Sequence, residues 1–157
     1  MRYSRTTMGD IAELMRRVRP SDERELRLSG QSVGFALGFA STESYITISA
    51  NDEKTGRLFG IAGLVRRPEG EDDDTIWGIG TVEMDKNPVK ALKTTKEMVS
   101  MLTRISKAKR FHNAIPAEFA VWRKWLAHHF NTTFDGEFVT PEGIRFVRFH
   151  IVKGEGG

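Results

Sequence analysis

Residues 45–66 read YITISANDEKTGRLFGIAGLVR, and this stretch decides the fold class. Tyr45-Ile46-Thr47-Ile48-Ser49 is aromatic and β-branched, which favours a strand over a helix. Asn51 to Gly56 supplies turn chemistry. Arg57 to Arg66 is apolar almost throughout, as expected of a strand covered on both faces. Beyond it, the acidic run Glu69 to Asp74 (EGEDDD) reads as a solvated hairpin loop, with an acidic docking surface as the alternative. Thr75 to Met84 then reads as a third strand, so the three form an antiparallel meander.

Working outward, Arg2 to Thr6 is short enough for an edge strand. Thr7 can cap a helix whose apolar positions Ile11, Leu14, Met15 and Val18 keep helical spacing, and Pro20 ends it. Ser21 can cap a second helix, with Asp22 and Glu23 in its first turn and Gly30 past its end. Gln31 to Thr42 is ambiguous, because its glycines weaken a helix while Val33, Phe35, Leu37 and Phe39 are apolar enough to be buried. Asn87-Pro88 opens a long helix running to about Lys107. Phe111 to Ile115 is a short strand, Pro116 opens a helix to about His128, and residues 131–139 and 144–152 form a terminal hairpin. The sum is an α+β fold, a mostly antiparallel mixed sheet of about seven strands flanked by about four helices. Residues 1–153 are expected to form one domain, and 154–157 a flexible tail.

Composition narrows the function classes. The chain has 157 residues, with 24 Lys and Arg against 21 Asp and Glu, so a net charge of +3 gives little footing for nucleic acid. It has no cysteine, which excludes disulfides, thiolate metal sites and a cysteine nucleophile. No apolar run approaches membrane-spanning length.

Short motifs then recur in a recognisable order. They are Arg19-Pro20-x-Asp22-x-x-Glu25, a segment containing Ser44, Trp77-Gly78-Ile79-Gly80-Thr81, His112-Asn113, and Trp125-Leu126 before a glycine-containing hairpin. The element order resembles the GCN5-related N-acetyltransferase (GNAT) fold, and the motifs resemble the internal virion protein A family of short-tailed bacteriophages. The resemblance implies a phage-encoded protein of the host cytoplasm, packaged in the virion or acting on the host, with a protein as partner. It also implies acetyl-CoA as the cofactor to consider. Carried onto this sequence, the cofactor positions are Thr81, Val82, Lys86, Asn87, Lys90, Lys93, Asn113 and Trp125.

The chain departs from the GNAT pattern where coenzyme A phosphates are held. A phosphate cradle needs unpaired backbone N–H groups and close approach. Met84 to Ala91 contains no glycine, and Pro88 removes one donor. Phe119 replaces the second of two asparagines, His129-Phe130 stands for the usual Gly-Phe, and Trp125 lies near the tyrosine that would protonate the departing thiolate. Against these, Lys86, Lys90 and Lys93 are spaced to share one face at the start of the long helix. Cations there oppose the helix dipole unless an anion relieves them, and a solvated lysine face is the plainer reading.

Glu83 is a candidate general base at the end of the third strand, or simply a surface carboxylate. His128 and His129 point about 100° apart on a helix and cannot chelate together, and His112 and His150 are distant in sequence, so no metal is expected. Trp122 and Trp125 read as core rather than a stacking platform, and the Arg104–Arg110 basic run suits a helix C-terminus. The leading expectation is a non-catalytic or degenerate GNAT-fold protein that binds a virion or host protein. The alternative is an active acetyl-CoA-dependent N-acetyltransferase acting on a host protein or small amine. The residues leave the oligomeric state open.

Overall fold

The computed structural model describes residues 1–154, so the end of the expected tail, from residue 155, lies outside the described residues. Among these residues seven strands form one sheet: β1 (Arg2–Arg5), β2 (Ile46–Asn51), β3 (Leu58–Arg66), β4 (Asp73–Gly80), β5 (Arg110–Pro116), β6 (Thr132–Val139) and β7 (Arg145–Val152). Their order across the sheet is β1-β2-β3-β4-β5-β7-β6. All neighbours are antiparallel except β4 and β5. The α+β expectation therefore holds.

Among the described residues six helices flank the sheet where about four were expected: α1 (Met8–Arg17), α2 (Pro20–Leu28), α3 (Val33–Glu43), α4 (Val82–Lys86), α5 (Pro88–Ile105) and α6 (Ala120–His129). Helix α3 is the segment left ambiguous by its glycines. Ser32 settles it by accepting the Phe35 amide, while Ala36 and Leu37 are buried. Helix α4 occupies the end of the expected third strand, because Thr81 turns the chain. Its Oγ1 donates to the Leu58 carbonyl at 2.6 Å and accepts the Glu83 amide at 3.3 Å. Pro20 does more than end α1: it is the first residue of α2, where its missing N–H is harmless.

Two apolar clusters sandwich the sheet. On one face Met98 and Leu102 of α5 and Leu126 of α6 meet Phe59, Leu64, Ile76, Phe111, Phe149 and Ile151. On the other, Leu14 of α1 and Leu37 of α3 meet Leu58, Ile61 and Ile79. No helix of the described residues is long and apolar enough to cross a membrane.

Gly63 is a tight spot of the meander. A Cβ there would lie 2.7 Å from Nε1 of Trp77, whose indole donates to Ser44 Oγ at 2.8 Å. Gly63→Ala is therefore expected to cost about 1–3 kcal/mol by overpacking and to expel the indole from its bond with Ser44. Urea unfolding of Gly63→Ala against wild type, with indole fluorescence, checks this. An unchanged midpoint would refute it.

Candidate active site in the β4–β5 split

The parallel pair at the centre of the sheet is barely zipped. Only Asp73, Asp74 and Thr75 register with Arg110, Phe111 and His112. Past that point the strands diverge, and Asn113 bridges the gap by donating from Nδ2 to the Ile76 carbonyl. Residues that share a side of a strand alternate. Ile76 and Gly80 both turn backbone groups away from β3, Gly80 donating to Asp22 and accepting from the Arg19 amide. Gly78, between them, therefore directs its N–H and C=O toward the split.

A cavity of about 200 Å³ fills this split. Its walls are the β4 backbone from Ile76 to Gly80, Asn113 to Ile115 of β5, Thr95, Met98 and Val99 of α5, and Trp122 and Trp125 of α6. Arg19, Asp22 and Glu25 of the α1–α2 junction and α2 complete it. Of the motif residues, Arg19, Asp22, Glu25, Trp77 to Gly80, Asn113, Trp125 and Leu126 converge on this cavity, with Ser44 bonded to Trp77, while Pro20, Thr81 and His112 lie outside its lining.

Two carboxylates enter the cavity from the same face of α2, because positions 22 and 25 are three apart. Burial pushes Asp22 up to about 6, although its Oδ2 accepts the Gly80 amide at 2.6 Å and Arg19 lies beside it. Burial and the neighbouring Asp22 push Glu25 up to about 8. Among the described residues no hydrogen bond or ion pair reaches the Glu25 carboxyl, and burial beside Asp22 favours its neutral form. Arg19 is directed elsewhere: NH2 holds Asp85 at 2.6 Å, the guanidinium lies over the Trp122 ring, and Nε is buried without a partner.

The residues singled out from the sequence are scattered around this cavity. Asn113 and Trp125 line it. Thr81 is fully buried in backbone bonds at its rim, and Val82 is half-buried in α4. Glu83 lies within α4 rather than at a strand end, and it is outside the cavity lining. Burial raises its pKa, but the bonds from Arg57 and Arg17 overcome that and hold it below the usual range. Lys86 also pairs with Glu83, at 3.5 Å.

The lysine face is not continuous. The chain breaks at Asn87-Pro88, so Lys86 ends α4 while Lys90 and Lys93 belong to α5. Lys90 pairs with Asp52. Asn87 does not cap α5 with its side chain; its Nδ2 turns back to the Glu83 carbonyl at 3.3 Å. Asp22 and Glu25 stood in a sequence motif but were given no role in a site. Their spacing on one helix face was the available signal, obscured because Asp22 also suits a helix N-terminus.

No protein-family model matches the chain, and no curated protein sequence does. Solved structures do match. A spermidine N-acetyltransferase variant from Vibrio cholerae superposes with a TM-score of 0.71 at 10% identity, covering 98% of this chain and 95% of that one. The chain has the GNAT fold. A GNAT-family acetyltransferase from Bacillus anthracis gives a TM-score of 0.70 at 12% identity over 96% of this chain and 93% of its own. A ribosomal-protein-alanine N-acetyltransferase from Brucella melitensis gives 0.67 at 10% identity over 97% and 99%. In GNAT-fold terms the split lies at the centre of the sheet, between the meander and the terminal three strands.

Proposed function

We propose that the chain is an N-acyltransferase that takes an acetyl-CoA-type thioester into the β4–β5 split and transfers the acyl group to an amine. The observation that carries this reading is the convergence of an open split, an unladdered Gly78 backbone and the uncompensated Glu25 on one cavity. The fit to the cofactor differs along its length. The acyl arm suits the apolar, aromatic walls and the Gly78 backbone, where the nearest atom to an added Cβ would be 3.8 Å away. The phosphate end meets a stretch without glycine, where exposed Lys86, Lys90 and Lys93 side chains stand in for a backbone cradle.

When bound, acetyl-CoA supplies an acyl group activated as a thioester. Gly78 N–H faces the place where negative charge develops on the acyl oxygen, and a fixed dipole there needs no reorganisation. Glu25, ionised above about pH 8, accepts the proton that the attacking amine must lose, and water supplies the proton that the departing thiolate takes up. Asp22 stays fixed by the Gly80 amide and adds negative potential that favours a cationic acceptor. Trp122 and Trp125 exclude water from the inner wall. Under the resemblance to internal virion protein A, the gene is a phage gene and the amine belongs to a virion or host protein.

Titrating acetyl-CoA while following thermal unfolding tests the reading. At a hundredfold excess over Kd the folded state gains about 2.7 kcal/mol, which corresponds to a rise in Tm of roughly 5–10 °C for a domain of this size. Loss of that rise on replacing Lys86, Lys90 and Lys93 together would place the phosphates on the lysines. No rise at millimolar ligand overturns the reading.

A further inference from the structure

Away from the split, the β5–β7 register sets His112 opposite His150. Their rings lie 5.3 Å apart between centroids. The two residues are 38 apart in the chain, which hid the pair from sequence reading, but an antiparallel ladder cancels that separation. Asp135 of β6 joins them. One ring nitrogen of each histidine and a carboxylate oxygen of Asp135 all lie within 4.8 Å of one another.

Local backbone brings Asp135 there. The β6–β7 register shifts between Phe134 and Gly136, so Gly136 and not Asp135 faces Arg148. A bulge of this kind inserts one extra residue and re-aims its side chain. Gly136 supports it with φ +108°, a conformation that suits glycine. Freed from Arg148, whose guanidinium lies over the Phe138 ring, Asp135 Oδ2 meets His150 Nδ1 at 2.7 Å.

His112 is held as metal-ligating histidines are held. Asp73 Oδ1 lies 2.7 Å from its Nε2, and Arg110 in turn grips both oxygens of Asp73, at 2.7 and 2.9 Å. A carboxylate on one ring nitrogen fixes the tautomer and leaves the other nitrogen, Nδ1, as a lone-pair donor. All three candidate ligands keep a path to solvent, with side chains 15–33% exposed for His150 and Asp135 and 23% for His112.

We infer that His112, His150 and Asp135 form a binding site for a divalent transition-metal ion of the zinc class, with water completing the coordination. Two imidazoles and one carboxylate suit zinc at metal–ligand distances of about 2.0–2.2 Å. The span of 4.8 Å needs only modest side-chain closure to reach them. An ion on His150 Nδ1 takes the place of the hydrogen bond to Asp135 Oδ2, with the imidazole proton carried on Nε2. The site ties the edge strand β6 to β7 and β5, and it is independent of acyl transfer.

The test is calorimetric titration of chelator-treated full chain with ZnCl2, followed by cobalt(II) loading of the same wild-type protein. We expect one ion per chain. His112→Ala, His150→Ala and Asp135→Ala should each weaken binding by at least about 100-fold, and Asp73→Asn by about 10–100-fold through the orienting bond. The double replacement of His128 and His129 should leave binding unchanged. Cobalt(II) should give the visible absorption of a low-coordinate nitrogen–oxygen site, a readout that needs no variant to fold. Absence of stoichiometric binding overturns the site, as does binding that survives loss of His150 in a folded chain or disappears with His128 and His129. In either case the two His–Asp contacts are ordinary hydrogen bonds.

Discussion

Glu25→Gln is expected to reduce acyl transfer by about 10²–10⁴-fold in kcat, the usual worth of a positioned general base. The isostere keeps the shape of the cavity and removes only the proton acceptor. In the wild type the rate should climb with pH toward a plateau above about 8, where Glu25 is ionised. The residual activity of Glu25→Gln should lack that limb. Stability gives a second readout with a definite sign. Glu25 in the folded chain holds its proton up to about 8, whereas unfolding returns it to 4.5. Between those values the native state binds more protons, so folding stability falls as pH rises. That contribution is fully present below pH 4.5 and is lost through pH 8. The neutral glutamine has no such slope, so Glu25→Gln should gain stability relative to wild type between pH 5 and 9, on the order of 4 kcal/mol. Urea midpoints for both proteins at the two pH values check the sign. Parallel behaviour, with an unaltered rate profile, would remove Glu25 from the role.

The second large effect belongs to the core. Phe111 is fully buried, stands in the short β4–β5 ladder opposite Asp74, and touches the cluster under α5 and α6. Phe111→Ala should cost about 3–5 kcal/mol, because the transfer free energy of the ring is lost and a cavity remains. Against a domain stability of roughly 5–15 kcal/mol this is a large fraction. Tm should fall by roughly 10 °C or more. Acetyl-CoA binding should weaken with it, since the pair that Phe111 anchors sets the geometry of the split. A loss below about 1 kcal/mol in chemical unfolding would show that the ladder is held by its neighbours.

The strands of the meander were legible because β-branched and apolar runs between turn residues leave few alternatives. Helix α3 was not, since Gly34 and Gly38 lower helix propensity and Phe35 and Phe39 stay exposed, so the apolar face does not stand out. Helix α4 was hidden because Thr81 looks like a strand residue until its hydroxyl is seen bound to Leu58. Lys86, Lys90 and Lys93 followed helical spacing on paper, but that arithmetic fails where two helices meet at Pro88. Asn113 and Trp125 were found through the resemblance, and both reach the cavity. Glu25 carries no local signal of its burial, because the environment that perturbs it is assembled from β4, β5 and α6.

The thin join between β4 and β5 also bears on how the chain folds. Strands β1 to β4 come from the first 80 residues and β5 to β7 from residues 110–152, so nearly every pairing links segments within one of two contiguous blocks. The β2–β3, β3–β4 and β6–β7 closures are short and entropically cheap, while β1–β2 and β5–β7 close across intervening helices. Only the three register pairs from Asp73 to Thr75 connect one block's strands to the other's. Each block can search for its own pairings first, leaving the docking of two partly formed sheets as the step that sets the folding rate. The seam beside the cavity is then the last to close.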